Sequence, residues 1–127
     1  MKIEDYDSVC DAASPADIEA ALRKRHGDGI NAFWLSHGSR LHPVLSILVK
    51  GDLAYLLYIP NEDHPGFASV SELPVARPHE TTVFFVTPNE KAWIVNGAVV
   101  PFSDALRVAQ EFAISAAMPR SMRWFEL

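Results

Sequence analysis

Two apolar runs, Val44 to Val49 and Leu53 to Ile59, are separated only by Lys50-Gly51-Asp52, and no other feature constrains the fold as strongly. Runs of that length joined by so short a polar loop form an antiparallel hairpin. Side chains alternate faces along a strand, so Leu45, Ile47 and Val49 share one face, and Leu53, Tyr55, Leu57 and Ile59 share one face of the neighbouring strand. Val44, Leu48, Leu56 and Tyr58 make the opposite faces largely apolar too. A hairpin that is apolar on both faces needs cover on both, so it belongs in the middle of a layered domain.

The segments around it supply that cover. Ser14 can cap a helix, Pro15 suits the first helical position and Asp17 the positive first turn, which predicts a helix from about Pro15 to Arg25. Ile18, Ala21 and Leu22 give it one apolar stripe, Glu19 and Arg23 can pair on its wet side, and Gly27-Asp28-Gly29 ends it. Ala32 to Leu35 reads as a strand, Gly66 to Val70 as a short edge strand, and Thr81 to Val86 as a β-branched and aromatic strand. Pro88-Asn89-Glu90 is a turn, and Asn96-Gly97 predicts a two-residue hairpin between Ala92–Val95 and Ala98–Val100. Ser103 is placed to cap a second helix burying Ala105, Val108, Ala109, Phe112 and Ala116, with Pro119 beyond its end and a last strand within Met122 to Leu127. The expectation is an α+β fold, a mostly antiparallel twisted sheet with two helices packed on one side, in a single domain over residues 1–127.

Charge and cysteine usage narrow the function. The formal charge is −5, from 16 acidic and 11 basic residues, which argues against nucleic-acid binding and favours a basic partner. A single cysteine, Cys10, cannot form an internal disulfide and points to a reducing compartment. The acidic start, Glu4-Asp5-Tyr6-Asp7, lacks the pattern of a signal peptide, and no apolar stretch is long enough to span a bilayer, so the expectation is a cytoplasmic chain with no membrane partner.

The search for chemistry finds no catalytic, metal or cofactor site. His26, His37, His42, His64 and His79 include no pair spaced to aim two imidazoles at one metal. Ser36-His37-Gly38-Ser39 is not a nucleophile elbow, and Cys10 lies between Asp7 and Asp11 rather than in an electropositive setting. Gly27-Asp28-Gly29 is not followed by the lysine of a phosphate loop, and the paired acids Asp5 with Asp7 and Glu62-Asp63 lie in polar segments where solvated charge is the ordinary state. Trp34, Trp93 and Trp124, in or beside strands, read as core residues.

His42-Pro43-Val44-Leu45, then Gly51-Asp52-Leu53-Ala54-Tyr55-Leu56, Tyr58-Ile59-Pro60 and Gly66-Phe67 follow one another in an order that resembles family one of the immunity proteins of bacterial polymorphic toxin systems. Ala105, Ala109, Glu111 and Phe112, Pro119 and the ending Trp124-Phe125-Glu126-Leu127 continue the likeness, which runs from about Trp34 to Leu127. The resemblance implies a non-enzymatic α+β protein without cofactor that binds and blocks a co-produced toxin, often of deaminase or nuclease type.

A cognate toxin domain with a basic cleft would meet loops, so the expected partner-binding residues are Glu62, Asp63, His64, Phe67, Glu72, Arg77, His79 and Glu80, in the two polar loops that follow the central hairpin. Two other readings stay open. One is a small-ligand-binding or enzymatic α+β domain whose pocket gathers His37, His42 or Asp52; the other is a homodimeric scaffold that buries the second sheet face against itself, rather than a monomer.

Overall fold

The computed structural model describes residues 1–72 and 74–127. Its centre is the expected hairpin: β4 (Val44–Lys50) and β5 (Leu53–Ile59) pair antiparallel from Val44↔Ile59 to Lys50↔Leu53 with no slip. Around them an antiparallel sheet runs in the order β10-β6-β5-β4-β3-β1-β2, with β1 at Lys2–Glu4, β2 at Val9–Asp11, β3 at Ile30–Ser36, β6 at Phe67–Ser69 and β10 at Trp124–Glu126. β9 (Val100–Pro101) pairs with β5 opposite Leu53 and Ala54, beside the end that β6 leaves free.

Both faces of the hairpin are covered. On one, helices α1 (Pro15–Leu22) and α2 (Phe102–Ser115) share a single core with Leu45, Ile47, Val49, Ala54, Leu56 and Tyr58. Phe33 and Phe112 are fully buried there, each contributing roughly 1.5–3 kcal/mol of apolar burial. On the other face lies a separate two-stranded sheet, β7 (Thr81–Thr87) with β8 (Glu90–Val95), whose Phe84, Ala92 and Ile94 pack on Ala32, Leu48, Trp34 and Tyr55. The fold is α+β with both helices on one side, and the third layer is a hairpin rather than more of the same sheet.

Several boundaries differ from the sequence reading. β1 and β2 fall where no strand was expected, because each is three residues long and only Ile3 of the six is a buried hydrophobe, too little to show a period. Helix α1 keeps its Ser14 cap (Asp17 N–H to Oγ, 3.1 Å) and its Glu19–Arg23 pair (2.7 Å) but ends at Leu22, not Arg25. Arg25 instead donates to the Leu22 carbonyl at 2.5 Å and lies over the Phe102 ring, supplying the cation that the helix C-terminus favours. β6 is not an edge strand, since β10 pairs along its outer side.

Asn96-Gly97 does not turn a hairpin. Residues Asn96–Ala98 form a 3-10 turn, and the chain crosses to β5 instead. Tertiary bonds override the local preference: the Asn96 side chain accepts from Thr82 Oγ1 (2.7 Å) and donates to the Arg77 carbonyl (3.3 Å), and Gly97 N–H donates to the Pro78 carbonyl (3.1 Å). Ser103 is likewise inside α2 and not its cap. Pro101 occupies the cap position, and the Phe102 N–H donates to the Asp52 carbonyl at the tip of the central hairpin (2.8 Å). Ala116, expected on the buried side of the helix, ends it at φ 57 and is half-buried.

Candidate functional site

The hairpin layer is narrower than the sheet it covers. β7 lies against β3 and β4, whereas beyond β8 the same face of β5, β6 and β10 is bare. There a groove of about 610 Å³ opens, floored by Tyr55, Ala68, Ser69 and Ala98 and walled by Trp93 and Val95 on one side and Phe125 and Leu127 on the other. The four wall residues are 64%, 49%, 64% and 54% exposed, so the groove is an apolar surface open to solvent. Strand parity explains it. In β8, Ala92 and Ile94 turn inward to the core, which sends Trp93 and Val95 outward, opposite Val83 and Thr81 of β7. Trp93 is therefore a surface residue and not a core one, whereas Trp34 and Trp124 pack against the two cores.

Ser69 fixes the groove floor. It is buried in the break between β6 and β9 on the β5 edge, where its hydroxyl accepts from Leu56 N–H (3.1 Å) and donates to the Ala98 carbonyl (2.7 Å). One side chain thus completes the ladder that the break interrupts. Burial pushes the Tyr55 phenol up, so it stays neutral.

The two loops expected to carry recognition border this groove. The loop before β6 is fastened to β10: Leu127 N–H donates to the Gly66 carbonyl (3.0 Å), and His64 Nε2 lies 2.8 Å from Glu126 Oε2. His64 Nδ1 accepts from Gly66 N–H (2.8 Å), and its ring stacks on Phe67 at 4.7 Å. Phe67 is not loop-borne: it opens β6 and packs half-buried on the helix-side core near Tyr58. His64 and Phe67 therefore brace the loop, leaving Glu62 and Asp63 exposed at its tip.

The loop 71–80, described except at position 73, is held to the other end of the groove by Ser71 N–H to the Gly97 carbonyl (2.8 Å) and Asn96 N–H to the Glu80 carbonyl (2.8 Å). His79 lines the groove itself, while Glu72 is exposed and Arg77, at φ 56, lies 3.6 Å from Glu80. Glu62, Asp63, Glu72, Glu80 and Glu90 are exposed on the bordering elements against Arg77, Lys91 and Arg123, while Glu126 turns with Trp124 to the helix side, so the elements flanking the groove carry a modest acidic excess.

His37, His42 and Asp52, the groups proposed to converge on a ligand, have separate surroundings. His37 Nε2 is 2.9 Å from the Phe112 carbonyl in α2, His42 lines a different groove with Trp34 and Arg40, and Asp52 sits at the hairpin tip. Among the described residues one group has metal-ligand chemistry, Asp5, Asp7 and His26, with one ligand atom from each within 4.8 Å of the others. The chain already supplies its cation. Lys24 Nζ lies 2.9 Å from Asp7 Oδ1 and 3.5 Å from Asp5 Oδ2. Burial of Asp5 would raise its carboxyl, but hydrogen bonds from Ser8, the Asp7 and Ser8 amides and Asn31 outweigh it and hold the group well below the usual carboxylate range.

Sequence reasoning missed the groove because its walls come from β8 and the C-terminal tail. The available signal was parity, with Trp93 and Val95 alternating with Ala92 and Ile94 on a strand whose inner face was already apolar. The family model of Immunity protein Imm1 matches residues 7–126, which extends the likeness well upstream of Trp34. No curated protein matches the chain.

Proposed function

The chain belongs to the Imm1 family of immunity proteins, and from that premise we propose that it binds a cognate toxin domain and blocks it by covering the active site. The observation that supports the contact surface is the exposed apolar groove, with two loops that carry exposed acids fastened to its ends. An apolar centre with a polar rim is the anatomy of a protein interface. Trp93 and Phe125 are the aromatic anchors, and His79 and Glu80 beside them, with Glu62, Asp63, Glu72 and Arg77 further out, form the rim.

The acidic rim suits a toxin whose cleft is basic, as clefts that act on nucleic acids are, and nuclease or deaminase domains fit that description. Such charge speeds encounter, while the apolar centre limits escape. Among the described residues no helix is long and apolar enough to cross a membrane, and a toxin made in the same cell would be met in the cytoplasm.

The test is rescue. Cells expressing the toxin encoded beside this gene should grow when the chain is co-expressed, and the two should elute as one complex. Growth arrest despite abundant folded chain would overturn the reading.

A further inference from the structure

We propose that the groove accepts an extended segment of the toxin as a third strand of the β7–β8 layer, hydrogen-bonded to the open edge of β8; this deepens the immunity reading and rests on it. The edge is defined by one bond. Asn96 N–H donates to the Glu80 carbonyl, which makes Glu80–Asn96 a hydrogen-bonded pair. Such pairs alternate along an antiparallel ladder, so Ile94 and Ala92 also bond to β7, whereas Trp93 and Val95 send their N–H and C=O groups away from it. Among the described residues nothing pairs with that side of β8.

The other edges are closed or short. β7 has its outward Phe85 carbonyl taken by the Tyr6 hydroxyl (2.5 Å) and a register shift beyond it. β2 and β10 are three residues each. β8 is six residues, in unbroken register with its partner as far as Phe85, and carries exposed Trp93 and Val95, the description of an edge that recruits another strand. An added strand would lie over Tyr55 and Ala68, with alternate side chains directed to that floor.

The charge of the chain selects the occupant. A second copy would bring another −5 chain against this edge, whereas a segment whose apolar core is flanked by lysine or arginine suits both the apolar groove and the exposed acids Glu62, Asp63, Glu72 and Glu80 of the flanking loops.

The probe is a synthetic peptide of alternating valine and threonine with two lysines at each end, compared with one ending in glutamates. Bound to the full chain, the lysine peptide should slow amide exchange at Trp93 and Val95 by at least about tenfold and leave Ala92 and Ile94, already bonded to β7, unchanged; the glutamate peptide should bind at least about tenfold more weakly. Val95 sits at φ −59, where proline fits, so Val95→Pro removes the outward N–H without straining the backbone. Its melting temperature should match the native chain, and its affinity for the peptide should fall at least about tenfold.

Absent binding, binding that leaves both amides unprotected, or full binding by folded Val95→Pro would overturn the proposal. So would protection of the free chain that rises with its own concentration, which assigns the edge to a second copy. Rescue of toxin-expressing cells by Val95→Pro at native level would refute strand addition and leave the immunity reading standing. Failure of the native chain to rescue would refute that reading instead.

Discussion

Ser69→Ala should be among the most damaging small substitutions in the molecule. The side chain is 1% exposed, and its hydroxyl serves Leu56 N–H at 3.1 Å and the Ala98 carbonyl at 2.7 Å. Alanine leaves both backbone groups unpaired at a site with almost no access to water, and each such group costs about 1–3 kcal/mol. Cost is therefore expected at about 2–4 kcal/mol, taking the lower half of the range for a carbonyl with a second lone pair. A chain of 127 residues has an unfolding entropy near 0.27 kcal/mol/K at its midpoint, so the melting temperature should fall by about 7–15 °C. Urea unfolding should shift in midpoint at constant slope, and amide exchange at Leu56 should accelerate ahead of its neighbours. A loss below about 0.5 kcal/mol with Leu56 exchange unchanged would refute the idea that Ser69 completes the ladder.

Other substitutions probe the same surface and its supports. At Gly66, φ is +113 and an added Cβ would lie 2.9 Å from Leu57 Cδ1 and 3.1 Å from the Tyr58 carbonyl, so Gly66→Ala should cost about 2–3 kcal/mol. Gly38→Ala, at φ +59 with nothing within 4 Å, should cost only about 1 kcal/mol by the same denaturation assay, and equal losses would sink the steric argument. Because Asp5 is held below its unfolded value, its contribution is present above about pH 4 and erodes as pH falls toward its folded value; Asp5→Asn should be less stable at neutral pH and should flatten the acid limb of the stability profile. Reversing Glu62 and Asp63 to Lys should slow association with the toxin several-fold at low salt and weaken its salt dependence, and stopped-flow rates unchanged in both respects would remove that loop from the interface.

What could be read from the sequence follows the length of the signal. The central hairpin is seven residues a side, its short loop leaves one register, and the two-sided apolar pattern already required a layer on each face. α2 was legible through Ala105, Val108, Ala109 and Phe112, but its start was not, because the group that caps Phe102 N–H is a backbone carbonyl of Asp52 from far upstream. The segments 60–66 and 71–80, apart from position 73, lie between strands as their polar composition suggested. The roles of their residues were not legible: Phe67 and His64 read as free contacts until Glu126, on the last strand, fastens them.

The misread turn at Asn96-Gly97 and the groove have one origin. Had that dipeptide closed a two-residue hairpin, Ala98 to Val100 would have paired with β8 and become a third strand over Tyr55 and Ala68, filling the groove with the chain's own residues. Instead the bonds from Thr82, Arg77 and Pro78 hold Asn96 and Gly97 in a tight turn, and Val100 pairs with Ala54 on the main sheet. That route delivers Phe102 to the opposite face, where α2 begins and closes the larger core. The fold thus spends its potential third strand on anchoring the helix, and the edge of β8 is left open as a consequence. An open edge of six residues beside exposed Trp93 and Val95 invites aggregation unless a partner occupies it or charge protects it. The chain's net charge of −5 disfavours the pairing of two copies along that edge. Neutralising Glu72, Glu80 and Glu90 together should therefore raise the tendency to self-associate, read by light scattering against concentration, and scattering unchanged by the substitutions would show that the edge is protected by something other than charge.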